Sequence, residues 1–81
     1  MYKTFNEMNN LLQTAANINI KTCNGQNIEG IAAETGISVP MLYKWRSGKS
    51  NLSYDKFDAL LNYFRNQEPE RLKMAERILG W

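Results

Sequence analysis

Apolar residues recur along this chain at intervals of three and four, broken by short polar stretches, and that spacing predicts helices throughout. Phe5, Met8, Leu12, Ala16, Ile20 and Cys23 fall on one stripe at about 100° per residue. Thr4 and Glu7 have the spacing of a capping box, so the first helix starts at Phe5. Asn24-Gly25 is a natural stop, which gives one long helix over about 5–24. The β-branched Ile18, Ile20 and Thr22 weaken its last turns, and an end near Asn17 is the alternative. Leu11, Ala15 and Ile18 form a second stripe beside the first; a broad core face accounts for it more simply than a partner surface does.

Two short helices follow. Asn27 is a good N-cap for a helix over about 28–34, and Gly36 supplies a sharp turn at its end. Ser38 caps a helix over 39–47, where Pro40 is tolerated because a first-turn amide has no intrahelical partner, and Gly48 closes it. Ile31, Ala32, Ile37, Leu42 and Trp45 are spaced to be buried between the two as they cross, with Ala32 small at the crossing. After the polar loop of Lys49, Ser50, Asn51 and Leu52, Ser53 caps a helix over about 53–64, with Asp55 in its first turn. Phe57, Leu60, Leu61 and Phe64 form its apolar stripe. Pro69 opens a last helix that turns Leu72, Ala75 and Leu79 inward and ends at Gly80, with the Trp81 indole folded back over the last turn. The expectation is an all-α fold: a single domain over 1–81, a compact bundle of about five helices.

Composition narrows the class. The 81 residues are enough for one modest core, and 43% hydrophobic with 22% charged residues is the balance of a folded chain. No run is apolar enough to span a bilayer, and the N-terminus lacks a basic-then-apolar signal, so a cytoplasmic location is the default expectation and no membrane partner is expected. Cys23 is the single cysteine, which excludes an internal disulfide and suits a small core residue better than a redox switch. Without histidine there is no zinc site of the usual Cys/His kind and no ordinary catalytic triad. Ser47-Gly48-Lys49-Ser50 imitates the end of a P-loop, but Tyr43 stands where the earlier glycine belongs and no strand precedes it. Asp55 and Asp58 read as solvated helix carboxylates rather than a catalytic pair, and Asn51-Leu52-Ser53 matches a glycosylation sequon that means nothing without secretion. No enzyme, cofactor, metal or small-molecule ligand is expected.

The net charge of +2 does not announce a nucleic-acid binder, but its distribution adds something. Lys44, Arg46 and Lys49 lie between Thr35 and Tyr54 with no acidic residue among them, a local basic footprint. An ordinary solvated face is the competing explanation.

Over about 24–65, the chain resembles the Cro/repressor-type (XRE-like) helix-turn-helix family of small bacterial and phage transcription regulators. The matching residues are Ile31-Ala32, Gly36-Ile37-Ser38, Leu42, Trp45 and Ser47-Gly48-Lys49, followed by the amphipathic helix from Ser53. The resemblance implies a lambda-repressor-like domain with its helix-turn-helix motif at about 27–49 and a recognition helix over 39–47.

On a helical wheel, Ser38, Met41, Leu42 and Trp45 cluster on one side of that helix. Val39, Pro40, Tyr43, Lys44 and Ser47 cluster on the other, with Arg46 at the edge. The family's base-contacting positions fall on Val39, Pro40, Tyr43 and Lys44. Lys44 can donate to guanine, whereas Val39 and Pro40 can only meet thymine methyls or shape, and Tyr43 can use its ring or its hydroxyl. Family members with glutamine or arginine early in the helix read bases more directly, so shape readout carries more weight here. The bland alternatives are that Val39 and Pro40 merely start the helix and that Tyr43 covers the core edge. Phosphate contacts fall on Asn27 and the first amides of its helix, with Gln26 beside them, and on Arg46, Ser47, Lys49, Ser50 and Asn51 with the Gly48 turn. Simple capping competes at Asn27, and a plain solvated lysine competes at Lys49.

The function this implies is a sequence-specific double-stranded DNA-binding transcriptional regulator, a small repressor of phage or mobile-element origin. The chain stops after the bundle, so no ligand-sensing domain is expected, and control would come from abundance, competition or a regulatory protein partner. One recognition helix reads few base pairs, which implies a homodimer. Met74, Ile78 and Trp81 are the first choice for its surface, Leu11 and Ile18 the second. The alternative class is a helix-turn-helix domain reused as a protein-interaction adaptor or inhibitor; duplex binding separates the two.

Overall fold

The computed structural model describes residues 4–18 and 25–81. Among these residues are five helices and no strand: α1 (Phe5–Asn17), α2 (Ile28–Thr35), α3 (Val39–Arg46), α4 (Tyr54–Gln67) and α5 (Pro69–Leu79). α1 packs most extensively along α5. α2 lies against α3 and α4, and α3 also rests on α1. The result is a compact globule of 29 × 28 × 22 Å.

Local chemistry sets the helix ends. The Thr4 hydroxyl accepts the Glu7 amide at 3.1 Å, and the Glu7 carboxylate accepts the Thr4 amide at 3.3 Å, closing the capping box. Asn27 and Ser38 cap α2 and α3 by accepting the amides of Gly30 at 2.9 Å and Met41 at 3.4 Å. Ser53 precedes α4 without a side-chain capping bond. Gly36 and Gly48, at φ 76° and 81°, take the left-handed backbone that the two chain reversals need and that β-carbon-bearing residues avoid.

The first helix is shorter than the span of 5–24 that its stripe predicts. It ends at Asn17, and Ile18 already has extended backbone at φ −68°, ψ 136°. Two causes converge. Ile18 is β-branched and poorly suited to a last helical turn, and a cation takes over the carbonyls left at the helix end. Ile20, Thr22, Cys23 and the stop at Asn24 lie outside the described residues.

That cation is Arg71 of α5, only 2% exposed. Its guanidinium donates to the carbonyls of Ala16 at 3.4 Å, Ile18 at 3.2 Å and Gln26 at 2.8 Å, and pairs with the Glu68 carboxylate at 3.2 Å. The Phe64 ring lies 5.7 Å away, and Nε alone is unpartnered among its nitrogens. Glu68 in turn accepts the Gln26 amide at 3.1 Å and the Tyr63 hydroxyl. A β-carbon at Gly25 would collide with this carboxylate and crowd the guanidinium, so glycine is needed there for space. One buried ion pair thus ties the end of α1 and the approach to α2 onto the α4–α5 corner.

Burial and the Glu68 carboxylate push the Tyr63 hydroxyl well above its ordinary pKa of 10.0. A raised acid pKa favours the neutral form in the folded state. This contribution to stability is therefore complete below about pH 10 and shrinks as pH climbs further. Urea melts of the wild type should weaken above that pH more steeply than those of Tyr63→Phe; parallel curves would remove Tyr63 from the alkaline limit.

The core joins Leu12, Ile31, Leu42, Trp45, Leu60 and Phe64, all at most 1% exposed. Leu11 and Ala15 are buried with them, so the second stripe of α1 belongs to the core. This corrects Leu11 as a partner-surface residue, because nothing of it is left to offer. Ile18 packs partly buried against the same cluster. Phe5 departs in the other direction: it is 48% exposed, with its ring 4.6 Å from that of Phe57. No helix among the described residues is long and apolar enough to cross a membrane.

Candidate nucleic-acid interface

α3 has a dry side and a wet side. Leu42 and Trp45 are fully buried, Met41 is half-buried, and Pro40, Tyr43, Lys44 and Ser47 are exposed. Val39 is shared between the two, half-buried against the core, so it has less surface to present than Pro40.

The dry side is bolted to α1 by two hydrogen bonds on one residue. The Trp45 indole N–H donates to Asn9 Oδ1 at 2.8 Å, and Gln13 Nε2 donates to the Trp45 carbonyl at 2.8 Å. With the indole sealed in the core, these bonds fix both the rotation of α3 and the position of its last turn. A third hold comes from Lys56, whose ammonium lies 3.1 Å from the Met41 sulfur. Asn9 and Gln13 escape a sequence reading because they stand 36 and 32 residues from their partner.

The wet side ends in an open depression of about 410 Å³, lined by Asn17, Tyr43, Lys44, Arg46, Ser47 and Lys49. The Arg46 guanidinium lies over the Tyr43 ring, 4.9 Å from its centroid, within cation–π range. Among the described residues no carboxylate is within ion-pair distance of Lys44, Arg46 or Lys49. The chain leaves α3 through a Schellman turn: Gly48 N–H donates to the Trp45 carbonyl at 3.0 Å and Lys49 N–H to that of Lys44 at 2.8 Å. This turn brings Lys49 back beside Lys44.

Five of the sequence-predicted contacts therefore meet in one place: Tyr43, Lys44, Arg46, Ser47 and Lys49. Pro40 and Val39 stand at the other end of the same helix. Ser50 and Asn51 lie in the loop beyond, outside the depression, with the Ser50 hydroxyl 3.5 Å from the Asn51 carbonyl. Gln26 and Asn27 are exposed at the start of α2. Asn27 Oδ1 is committed to its cap and Glu29 occupies the first turn, so an anion approaching these amides meets a carboxylate nearby. Asn17, which the sequence reading did not select, completes the depression from the end of α1.

Comparison with protein-family models, with curated proteins and with solved structures gives no match for this chain. Among the described residues no group of three or more Cys, Asp or Glu side chains is placed to hold a metal ion. Of the residues expected at a dimer surface, Ile78, 63% exposed, and the half-buried Met74 lie on α5, and Trp81, 38% exposed, follows its C-cap Gly80.

Proposed function

We propose that this chain is a sequence-specific double-stranded DNA-binding regulator of the Cro/repressor type. In this reading α2 and α3 form a helix-turn-helix and α3 enters the major groove. The observation that carries it is the exposed face of α3, where Tyr43, Lys44, Arg46, Ser47 and Lys49 are gathered and no carboxylate among the described residues pairs with the three cations. A groove about 12 Å wide admits one helix, provided that its outward side is polar and free. The double anchorage of Trp45 suits such a role, since base readout needs side chains held on a rigid element.

Lys44, in the last turn of α3, donates to a guanine edge; Pro40 and Tyr43 meet methyls and groove shape; Lys49 and Ser47 hold the adjacent backbone. Two copies act together, with Ile78 of α5 and Trp81 just beyond it as the contact between them.

Selection of bound duplexes from random DNA tests the reading and should return a site with two related half-sites. On that site Lys44→Ala should cost about 1–3 kcal/mol and relax preference at one base pair per half-site. Lys49→Ala should weaken all duplexes alike and make the salt dependence shallower by about 1 per copy. Failure to enrich any duplex would favour the adaptor reading, with the same face docking on a protein.

A further inference from the structure

The depression between the ends of α1 and α3 has a feature that its position argues against. It sits at a helix C-terminus, where unsatisfied carbonyls carry partial negative charge and repel anions. Here three of the carbonyls at the end of α3 have donors. That of Tyr43 accepts the Ser47 amide at 3.1 Å. That of Lys44 accepts the Lys49 amide at 2.8 Å and the Ser47 hydroxyl at 3.1 Å. That of Trp45 accepts the Gly48 amide at 3.0 Å and Gln13 Nε2 at 2.8 Å. Around this end stand Lys44, Arg46 and Lys49, with no ion-pairing carboxylate among the described residues.

Asn17 forms the opposite wall. Its Nδ2 donates to the Gln13 carbonyl at 2.9 Å. That bond fixes the orientation of the amide and leaves a second N–H to donate. Arg46, laid on the Tyr43 ring, keeps its guanidinium at the rim. Cations, an amide donor and a hydroxyl around a shallow concavity make a receptor for a singly charged, oxygen-rich group.

We infer that this depression seats one phosphodiester of a DNA strand, with Asn17 of α1 as a backbone contact opposite Lys44 and Lys49. The inference rests on the DNA-binding reading and adds to it a path for the strand, which passes between the ends of α1 and α3 rather than along α3 alone.

A gain-of-contact variant tests it. Asn17→Lys places a fourth cation at the wall, and a lysine at a helix C-terminus is compatible with folding. Binding to the selected duplex is measured by fluorescence anisotropy over a salt series for the wild type, Asn17→Lys and Asn17→Ala. For each copy bound, Asn17→Lys should steepen the dependence of log affinity on log salt by about 0.9. It should also bind severalfold tighter at low salt, while Asn17→Ala binds more weakly with unchanged sequence preference. Duplexes carrying a neutral methylphosphonate at one linkage at a time locate the contact: at one linkage per half-site the gain from Asn17→Lys should vanish. An unchanged salt slope for Asn17→Lys, or a gain that survives every single neutralisation, overturns this inference alone. Absence of duplex binding by the wild type overturns it together with the proposed function.

Discussion

Arg71→Ala is expected to cost about 3–5 kcal/mol of folding free energy, the range for breaking a buried ion pair from one side. The guanidinium is almost wholly out of water and serves four acceptors: the carbonyls of Ala16, Ile18 and Gln26 and the Glu68 carboxylate. Truncation leaves one buried and two partly buried carbonyls without that donor and a carboxylate without its cation, and each loss adds to the cost. A domain of this size has roughly 5–10 kcal/mol in total, so the variant should keep only about half of its stability or less. Urea denaturation checks this. Glu68→Gln should be milder, because the amide can still accept from the Gln26 amide and Arg71. A loss below about 1 kcal/mol for Arg71→Ala would mean that the corner is held by apolar packing and the ion pair is incidental.

Trp45→Ala should cost a similar 3–5 kcal/mol, through the cavity left by the largest fully buried side chain. It also strips Asn9 of its donor. The more informative partner is Trp45→Phe, which keeps an aromatic ring in the core but loses the indole N–H and part of the ring volume. It should cost about 1 kcal/mol in stability. On the selected duplex it should lose discrimination between related sites, because α3 then keeps only the Gln13 and Lys56 holds on its rotation. A Trp45→Phe protein with wild-type discrimination would show that packing alone sets the pose of α3. A Trp45→Ala protein that melts like the wild type would remove Trp45 from the centre of the core.

Most of what depends on neighbours within about four residues was legible in the sequence, the exception being the Ser53 cap, which makes no side-chain bond. The capping box at Thr4 and Glu7, the caps at Asn27 and Ser38, and the left-handed turns at Gly36 and Gly48 all have local causes, and the structure has each of them. The burial of Ile31, Ile37, Leu42 and Trp45 follows from helical spacing and was legible for the same reason. What failed depends on distant partners. Continuing the first helix past Asn17 assumed that the apolar stripe decides its length, whereas Arg71 of α5 competes for the carbonyls at its end. Arg71 is a charged residue beside Glu70 and Lys73 and gave no sign of burial. Asn9, Gln13 and Asn17 read as the polar side of an amphipathic helix, yet they are where α1 meets the end of α3. The composition of the candidate site was thus readable, while the scaffold that aims it was not.

The central claim is that the outward face of α3 meets the DNA duplex. Titration of isotope-labelled protein with the selected duplex, followed by NMR, tests it most directly. The expected result is that resonances of Tyr43, Lys44, Ser47 and Lys49 shift most as the complex saturates, while the buried Trp45 indole signal moves little. A saturated complex in which the α3 resonances stay in place and another helix carries the changes would contradict it.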